Sequence, residues 1–351
     1  VKSPTFTYRA AKSAAEATEV LAEFGSAAAV LAGGQSLLID LHFRRTHPAV
    51  VLDINPAGAD PGDTDAGGAD PAGALVQTRV AGGWVQIGAL VRHCQLEHEG
   101  KYAGKYAGGQ AGFDDPLARL CAMAAQHIAH PPVRARGTFA GSVAWAHPAS
   151  EWCALTAAMD AEVVLASVRG TRIVPASQWF TGRHQTLRRP DELLTAVRMP
   201  LLGAGTGVGF AEHRRTHSSF ALAAALAAVS VTEGRVNWAR IGMAGAADVP
   251  VRARAAESVL AGQPVSEQLV AEAADAAAEA ADPVPEPHCS PAYRRQALRV
   301  MVQRSLRQAM FGQAARGPAH PGRPPVNGQH ADGSRSNGHR PCGRPAGRGT
   351  G

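Results

Sequence analysis

Two short runs of small residues limit what this chain can fold into more than any other feature. The first, Ala32-Gly33-Gly34-Gln35-Ser36, follows an apolar stretch over 27–31 that predicts a strand and precedes a helical turn predicted over 37–42. The order is strand, glycine turn, helix. Glycines in such a turn let consecutive backbone N–H groups approach an anion without a Cβ in the way, and a serine hydroxyl adds a donor. The second run, Gly137-Thr138-Phe139-Ala140-Gly141-Ser142, lies about a hundred residues later and offers hydroxyls at both ends of another amide series. Either run alone is common structural punctuation.

The familiar phosphate motifs do not account for them. A P-loop requires Gly-Lys-Ser/Thr, and Gly34 is followed by Gln35; the dinucleotide fingerprint requires GxGxxG, and GGQSLL does not supply it. Two loops in separate subdomains would instead grip one extended pyrophosphate from two sides, which points to a bulky dinucleotide such as FAD.

Around these loops the chain predicts a short strand at 5–8, a capping box Ser13-Ala14-Ala15-Glu16 opening a helix that Gly25 stops, and strands at 49–54 and 84–88. Residues 56–74 read as an exposed Ala/Gly/Asp/Pro insertion, and KYAG occurs twice in tandem at 101–108. Helical spacing over 116–128 ends at Pro131-Pro132. Helix resumes at 152–159, and strands follow at 162–166 and 193–199. After a Gly-rich link at 203–209, the sequence predicts an apolar helix at 220–228, strands at 229–232 and 236–243, and helices at 252–261, 266–281 and 291–311, a separate α+β unit.

Charge is unevenly placed. Residues 313–351 carry six Arg against one Asp, with nine Gly and six Pro, which leaves 29 basic and 28 acidic residues in 1–312. The basic tail therefore reads as disordered, and the balanced folded part argues against specific nucleic-acid binding. Cysteines at 94, 121, 153, 289 and 342 form no CxxC, so no iron–sulfur or zinc site is expected on this chain. The longest apolar run, 220–231, is too short to span a bilayer, and the first twenty residues lack a signal-peptide core. The expectation is a cytoplasmic protein without membrane insertion. No nucleophile motif such as GxSxG is present, and the tryptophans are read as core.

Four segments in order, LAGGQSLL at 31–38, RGTFAGSVAWAHPASEW at 136–152, DELLTAVRMP at 191–200 and FAEHRRTHSSFALAAA at 210–225, resemble the FAD-binding medium subunit of the molybdenum hydroxylases, the family of carbon monoxide dehydrogenase and xanthine dehydrogenase flavoproteins. The likeness runs from about residue 4 to residue 312. It implies an α+β, vanillyl-alcohol-oxidase-type fold with FAD-binding subdomains at 1–57 and 58–205, a C-terminal α/β flavoprotein domain at 206–312, and the tail at 313–351. It also implies non-covalent FAD held by Ala32, Gly33, Gly34, Gln35 and Ser36 and by Thr138, Phe139, Ala140, Gly141 and Ser142. Glu151, thirteen positions after Thr138, would stand near the ribose or adenine, and Leu193 or Leu194 would touch the flavin.

The chain departs from the family pattern at several positions. Ala140 replaces a glycine, which predicts a methyl group crowding the pyrophosphate. Trp145 and His147 stand where relatives have His or Asn and Asp, Glu151 replaces Asp, and Ser218-Ser219 replaces Gly-Asp. Arg214-Arg215 is kept, and reads either as a solvated pair or as one that attracts the flavin phosphates or a partner chain. No catalytic residue is assigned, His147 included. The implied function is electron transfer: a small iron–sulfur subunit and a large molybdopterin subunit carry the other cofactors, in a dimer of heterotrimers, and FAD passes electrons to an external acceptor. A self-contained FAD-dependent oxidase of the same fold is the alternative.

Overall fold

Strand β1 (Thr7–Ala10) leads into Ser13, whose hydroxyl accepts from the Glu16 amide at 3.0 Å while the Glu16 carboxylate accepts from the Lys12 amide at 2.7 Å. This reciprocal cap opens α1 (Ala14–Phe24), which buries Ala17, Val20 and Leu21 and stops at Gly25 with φ +51°. Then come β2 (Ala28–Leu31), α2 (Leu37–His42) and β3 (Val50–Asp53). β3 lies between β1 and β2 and runs parallel to both, and Leu31 pairs with Asp53. The first glycine loop and Asn55 therefore leave the sheet at the same end of its strands. The computed structural model describes residues 2–58, 74–97 and 115–312. Most of the predicted insertion, the KYAG repeat and the tail lie outside the described residues.

The second sheet is antiparallel, ordered β4 (Thr78–Ala81), β5 (Trp84–Gly88), β10 (Leu193–Pro200), β6 (Glu162–Ser167), β7 (Gly170–Pro175). Between β5 and β6 run α3 (His93–Glu97), α4 (Pro116–Ala125), α5 (Pro131–Arg136), α6 (Phe139–Trp145) and α7 (Glu151–Ala158). α8 (Ala176–Trp179) and the small β8 (Phe180–Gly182) and β9 (Gln185–Thr186) hairpin follow β7. Two expectations change here. Pro131 begins a helix, as proline at a first helical position can. The second small-residue run is the first turn of α6, capped by Thr138, whose hydroxyl accepts from the Gly141 amide at 3.0 Å.

The C-terminal unit is an antiparallel sheet of β11 (Gly207–His213), β12 (Ala223–Thr232), β13 (Arg235–Ala244) and β14 (Val251–Arg252), followed by α9 (Arg254–Leu260), α10 (Glu267–Glu279) and α11 (Pro291–Phe311). The helix predicted at 220–228 is instead the start of β12, continuous with the strand predicted at 229–232. Alanine favours helix, but here burial on both faces decides. Ala224, Leu226 and Ala228 join the core of the first two units, whereas Ala223, Ala225, Ala227 and Val229 join the core beneath the C-terminal helices. That alternation has period two. The predicted link at 203–209 ends in a strand for a related reason: a Cβ at Gly207 or Gly209 would collide with the carbonyl oxygens of Ala309 or Ser305, so these glycines let α11 lie directly on β11. Among the described residues, no helix is long and apolar enough to cross a membrane.

Candidate FAD site

In the first loop, Gly34 has φ +75°, a conformation that glycine adopts without strain. Among the described residues the amides of Gly33, Gly34, Gln35 and Ser36 donate no backbone hydrogen bond, and the Ser36 hydroxyl does not cap α2 although Ser36 is its N-cap. Gln35 folds its amide back to the Gly33 carbonyl at 3.2 Å. The loop thus presents a row of uncommitted donors. Beside it opens a depression of about 360 Å³ lined by Gly34, Gln35, Leu38, Ile39, His42 and Phe43.

The second loop meets the first directly. A Cβ on Gly33 would strike the Arg136 carbonyl oxygen and come within 2.7 Å of the Gly137 Cα. Sequence alone placed these glycines a hundred residues apart; the fold places their backbones in contact. Arg134 anchors this end, pairing with both oxygens of Glu97 at 2.9 Å and donating to the carbonyls of Ile128 and Ala129. Phe139 is buried against Trp152, with ring centroids 4.9 Å apart, so it offers no side chain to a cofactor. Ala140 is 3% exposed and part of the core. Its methyl group is therefore packed inward. Leu193 and Leu194, on β10, are likewise buried in that core.

Arg92 and Asn55 were not singled out from sequence. Arg92 donates Nη1–H to the Arg136 carbonyl and Nη2–H to Asn55 Oδ1 at 2.6 Å; Asn55 Nδ2 donates to the Ala32 carbonyl at 2.9 Å. A second tie joins the helices after the loops, where the Trp145 indole donates to Asp40 at 3.3 Å. Trp145 and His147 form a ring cluster with His184 and Phe220; His147 and Phe220 stack at 4.0 Å, and Phe220 is 48% exposed. Burial, with His184 and Arg183 nearby, pushes the His147 pKa down to about 4, so its ring is neutral near pH 7.

Glu151 starts α7 and is 5% exposed, with its carboxyl beside that of Glu212 on β11. The Glu212 side chain is fully buried, and among the described residues neither of its oxygens receives a hydrogen bond. Arg214 approaches it at 3.5 Å and His127 at 3.8 Å. Burial, and for Glu212 the neighbouring carboxyl, raises both pKa values. Two buried carboxylates face to face cannot both stay ionised cheaply, so the pair holds a proton. Arg214 also donates to the His127 carbonyl and is largely covered, whereas Arg215 is exposed.

Cys121, Cys153 and Cys289 are free thiols, and burial pushes Cys121 and Cys153 up to about 12. Among the described residues, no His/Cys/Asp/Glu group could hold a metal ion.

The FAD binding domain in molybdopterin dehydrogenase matches residues 73–202, and the CO dehydrogenase flavoprotein C-terminal domain matches residues 209–309. The chain is 34% identical to the 6-hydroxypseudooxynicotine dehydrogenase complex subunit alpha of Paenarthrobacter nicotinovorans, over 88% of this chain and 96% of that one. It is 30% identical to the carbon monoxide dehydrogenase medium chain of Hydrogenophaga pseudoflava, over 87% and 97%. Among solved structures, carbon monoxide dehydrogenase from Hydrogenophaga pseudoflava superposes with a TM-score of 0.76 at 32% identity, covering 88% of this chain and 98% of that one. Quinoline 2-oxidoreductase from Pseudomonas putida 86 gives 0.76 at 29%, covering 89% and 99%.

Proposed function

Because this chain belongs to the FAD-binding medium subunits of molybdenum hydroxylase-type dehydrogenases, an oxidoreductase family, we propose that it is the electron-transfer flavoprotein of such a complex. The observation that carries this reading is the contact between the two loops, where the backbone at Gly33 rests on Arg136 and Gly137. FAD bound there would supply the redox chemistry, taking electrons from iron–sulfur clusters on a small partner subunit, fed by a molybdopterin centre on a large one, and handing them to an external acceptor.

The chain's own part is binding and orientation. Amides 33–36 and the Ser36 hydroxyl hold one side of the pyrophosphate, and the 138–142 segment holds the other. Because the Phe139, Gly141 and Ser142 amides are bonded within the protein and the Phe139 and Ala140 side chains are in the core, that second contact falls to the donors that remain in the segment. Leu193 and Leu194 set the packed wall behind it. Glu151, paired with Glu212, shapes the adjoining interface between α7 and β11. The sheets support subdomains at 1–57, 58–205 and 206–312, with FAD between the first two. FAD is non-covalent, and the assembly is a dimer of heterotrimers.

The test is to reduce the purified, FAD-loaded chain anaerobically. Dithionite should bleach the flavin, candidate organic substrates should leave it oxidised, and adding the small and large partners should restore substrate-driven bleaching. Substrate-driven reduction by this chain alone would favour the self-contained oxidase.

A further inference from the structure

Where the two loops touch, the contact is backbone against backbone at Gly33 and the Arg136–Gly137 segment, with no side chain between them to fix a spacing. Gly33 has nothing beyond its backbone with which to grip the Arg136–Gly137 segment. Something else must hold the loops at one separation if their amides are to converge on one pyrophosphate. We propose that Arg92 and Asn55 are positioning residues for FAD: they tie the carbonyls of Ala32 and Arg136 into one hydrogen-bonded bridge that sets the distance and orientation of the two loops. This rests on the reading of these loops as the FAD site.

The bridge crosses between the first two sheets. Asn55 follows β3 and is held from behind, since its own amide donates to Asp53 Oδ1 at 2.9 Å while the Tyr8 hydroxyl donates to Asp53 Oδ2 at 2.7 Å. Its Nδ2 reaches the Ala32 carbonyl, and its Oδ1 accepts from Arg92. Arg92 belongs to the segment after β5. Its neighbours are bonded to the second loop through main chain: the His93 amide donates to the Gly137 carbonyl at 3.0 Å, and the Phe139 amide donates to the Val91 carbonyl at 3.1 Å. The second loop is therefore fixed to the Arg92 segment along its backbone. The first loop is joined to that segment by side chains, through Asn55.

Peptide geometry turns this anchoring into orientation. The Ala32 carbonyl and the Gly33 N–H belong to one planar trans peptide and point in opposite directions. Holding the carbonyl toward Asn55 aims the Gly33 N–H away from it, toward the open side of the loop. The same bond turns aside a carbonyl dipole that would repel an anion. Arginine suits the post because its planar fork serves two acceptors at fixed angles, which a lysine ammonium does not reproduce, and because it keeps its charge at every working pH.

The experiment uses the full chain stripped of FAD and refilled. FAD dissociation constants are measured by flavin fluorescence for wild type, Arg92→Ala, Arg92→Lys, Asn55→Ala, Asn55→Asp and the Arg92→Ala/Asn55→Ala double variant. The visible circular dichroism of bound flavin and the melting temperature of the FAD-free chain are recorded beside them. Each single alanine variant should weaken FAD about tenfold or more, the scale of a hydrogen bond to a charged group, and should alter the flavin dichroism. The double variant should be little weaker than the poorer single one, because both remove the same bridge. Arg92→Lys should fail to restore affinity despite keeping its charge, and Asn55→Asp should weaken binding because it loses the donor to Ala32. If Arg92→Ala does not fold, the lysine and aspartate variants decide the matter. Wild-type affinity in Arg92→Lys, or additive losses in the double variant, would overturn the bridge. Failure of folded wild type to bind FAD would instead remove the site reading beneath it.

Discussion

The Trp152 indole donates its N–H to Nδ1 of His93 across 2.9 Å in the core under the second glycine loop. Nδ1 must then be the acceptor, which puts the ring proton of neutral His93 on Nε2. Burial and the nearby charges of Arg92 and Arg134 push the His93 pKa down to about 3. The imidazole is a neutral prop beneath Gly137, whose missing Cβ would lie 2.5 Å from Nε2.

Gly137→Ala should therefore force the ring aside, destabilising the chain by about 1–3 kcal/mol and weakening FAD through the loop above. Trp152→Phe should cost about 1–3 kcal/mol by leaving Nδ1 without its donor. Denaturant titrations of both variants check this. The sign for pH follows from the depressed value: His93 contributes stability above about pH 6.5, its unfolded value, and that contribution is lost as pH falls toward about 3.

The Glu151 and Glu212 carboxyls behave oppositely. Burial, and for Glu212 the neighbouring carboxyl, raises both folded values above the ordinary 4.5. Their contribution is complete below about pH 4.5 and is lost as pH rises through the neutral range. The groups facing them are Arg214 and His127. Melting temperature should fall as pH rises from about 4.5 through the neutral range in wild type, and Glu212→Gln should flatten that fall. An equal fall in the variant would show that the pair holds no proton.

Ala140→Gly should lower stability by about 1 kcal/mol, through lost helix propensity and a buried methyl group, without tightening FAD. Sequence reasoning pointed to the opposite sign for affinity, because it could not see which way the methyl group faces. The paired melting curves and FAD titrations separate the two accounts.

Local chemistry made much of the fold legible. The Ser13–Glu16 box, the Gly25 stop and the two small-residue runs all act over a few residues, and the structure uses each. The alanine-rich start of β12 was misread because nothing local says that both of its faces will be covered; that depends on α11 and the core of the first two units. Arg92, Asn55 and Glu212 were invisible for another reason. Each is a single polar residue without periodic neighbours, and it acquires a role only when a distant segment is brought against it. Trp145 and His147 stood out as departures from the family pattern, but their clustering with Phe220 and His184 needed the fold.

The central claim is that this chain builds one FAD cradle from its two loops. Its most direct measurement is equilibrium titration of the FAD-free full chain with FAD, followed by acid precipitation, for wild type and Gly33→Val. The account predicts one FAD per wild-type chain, released to the supernatant as free flavin, and no binding when a side chain is forced between Gly33 and the Arg136 carbonyl. A folded wild-type chain that binds no flavin, flavin that stays in the pellet, or full occupancy in Gly33→Val would contradict it.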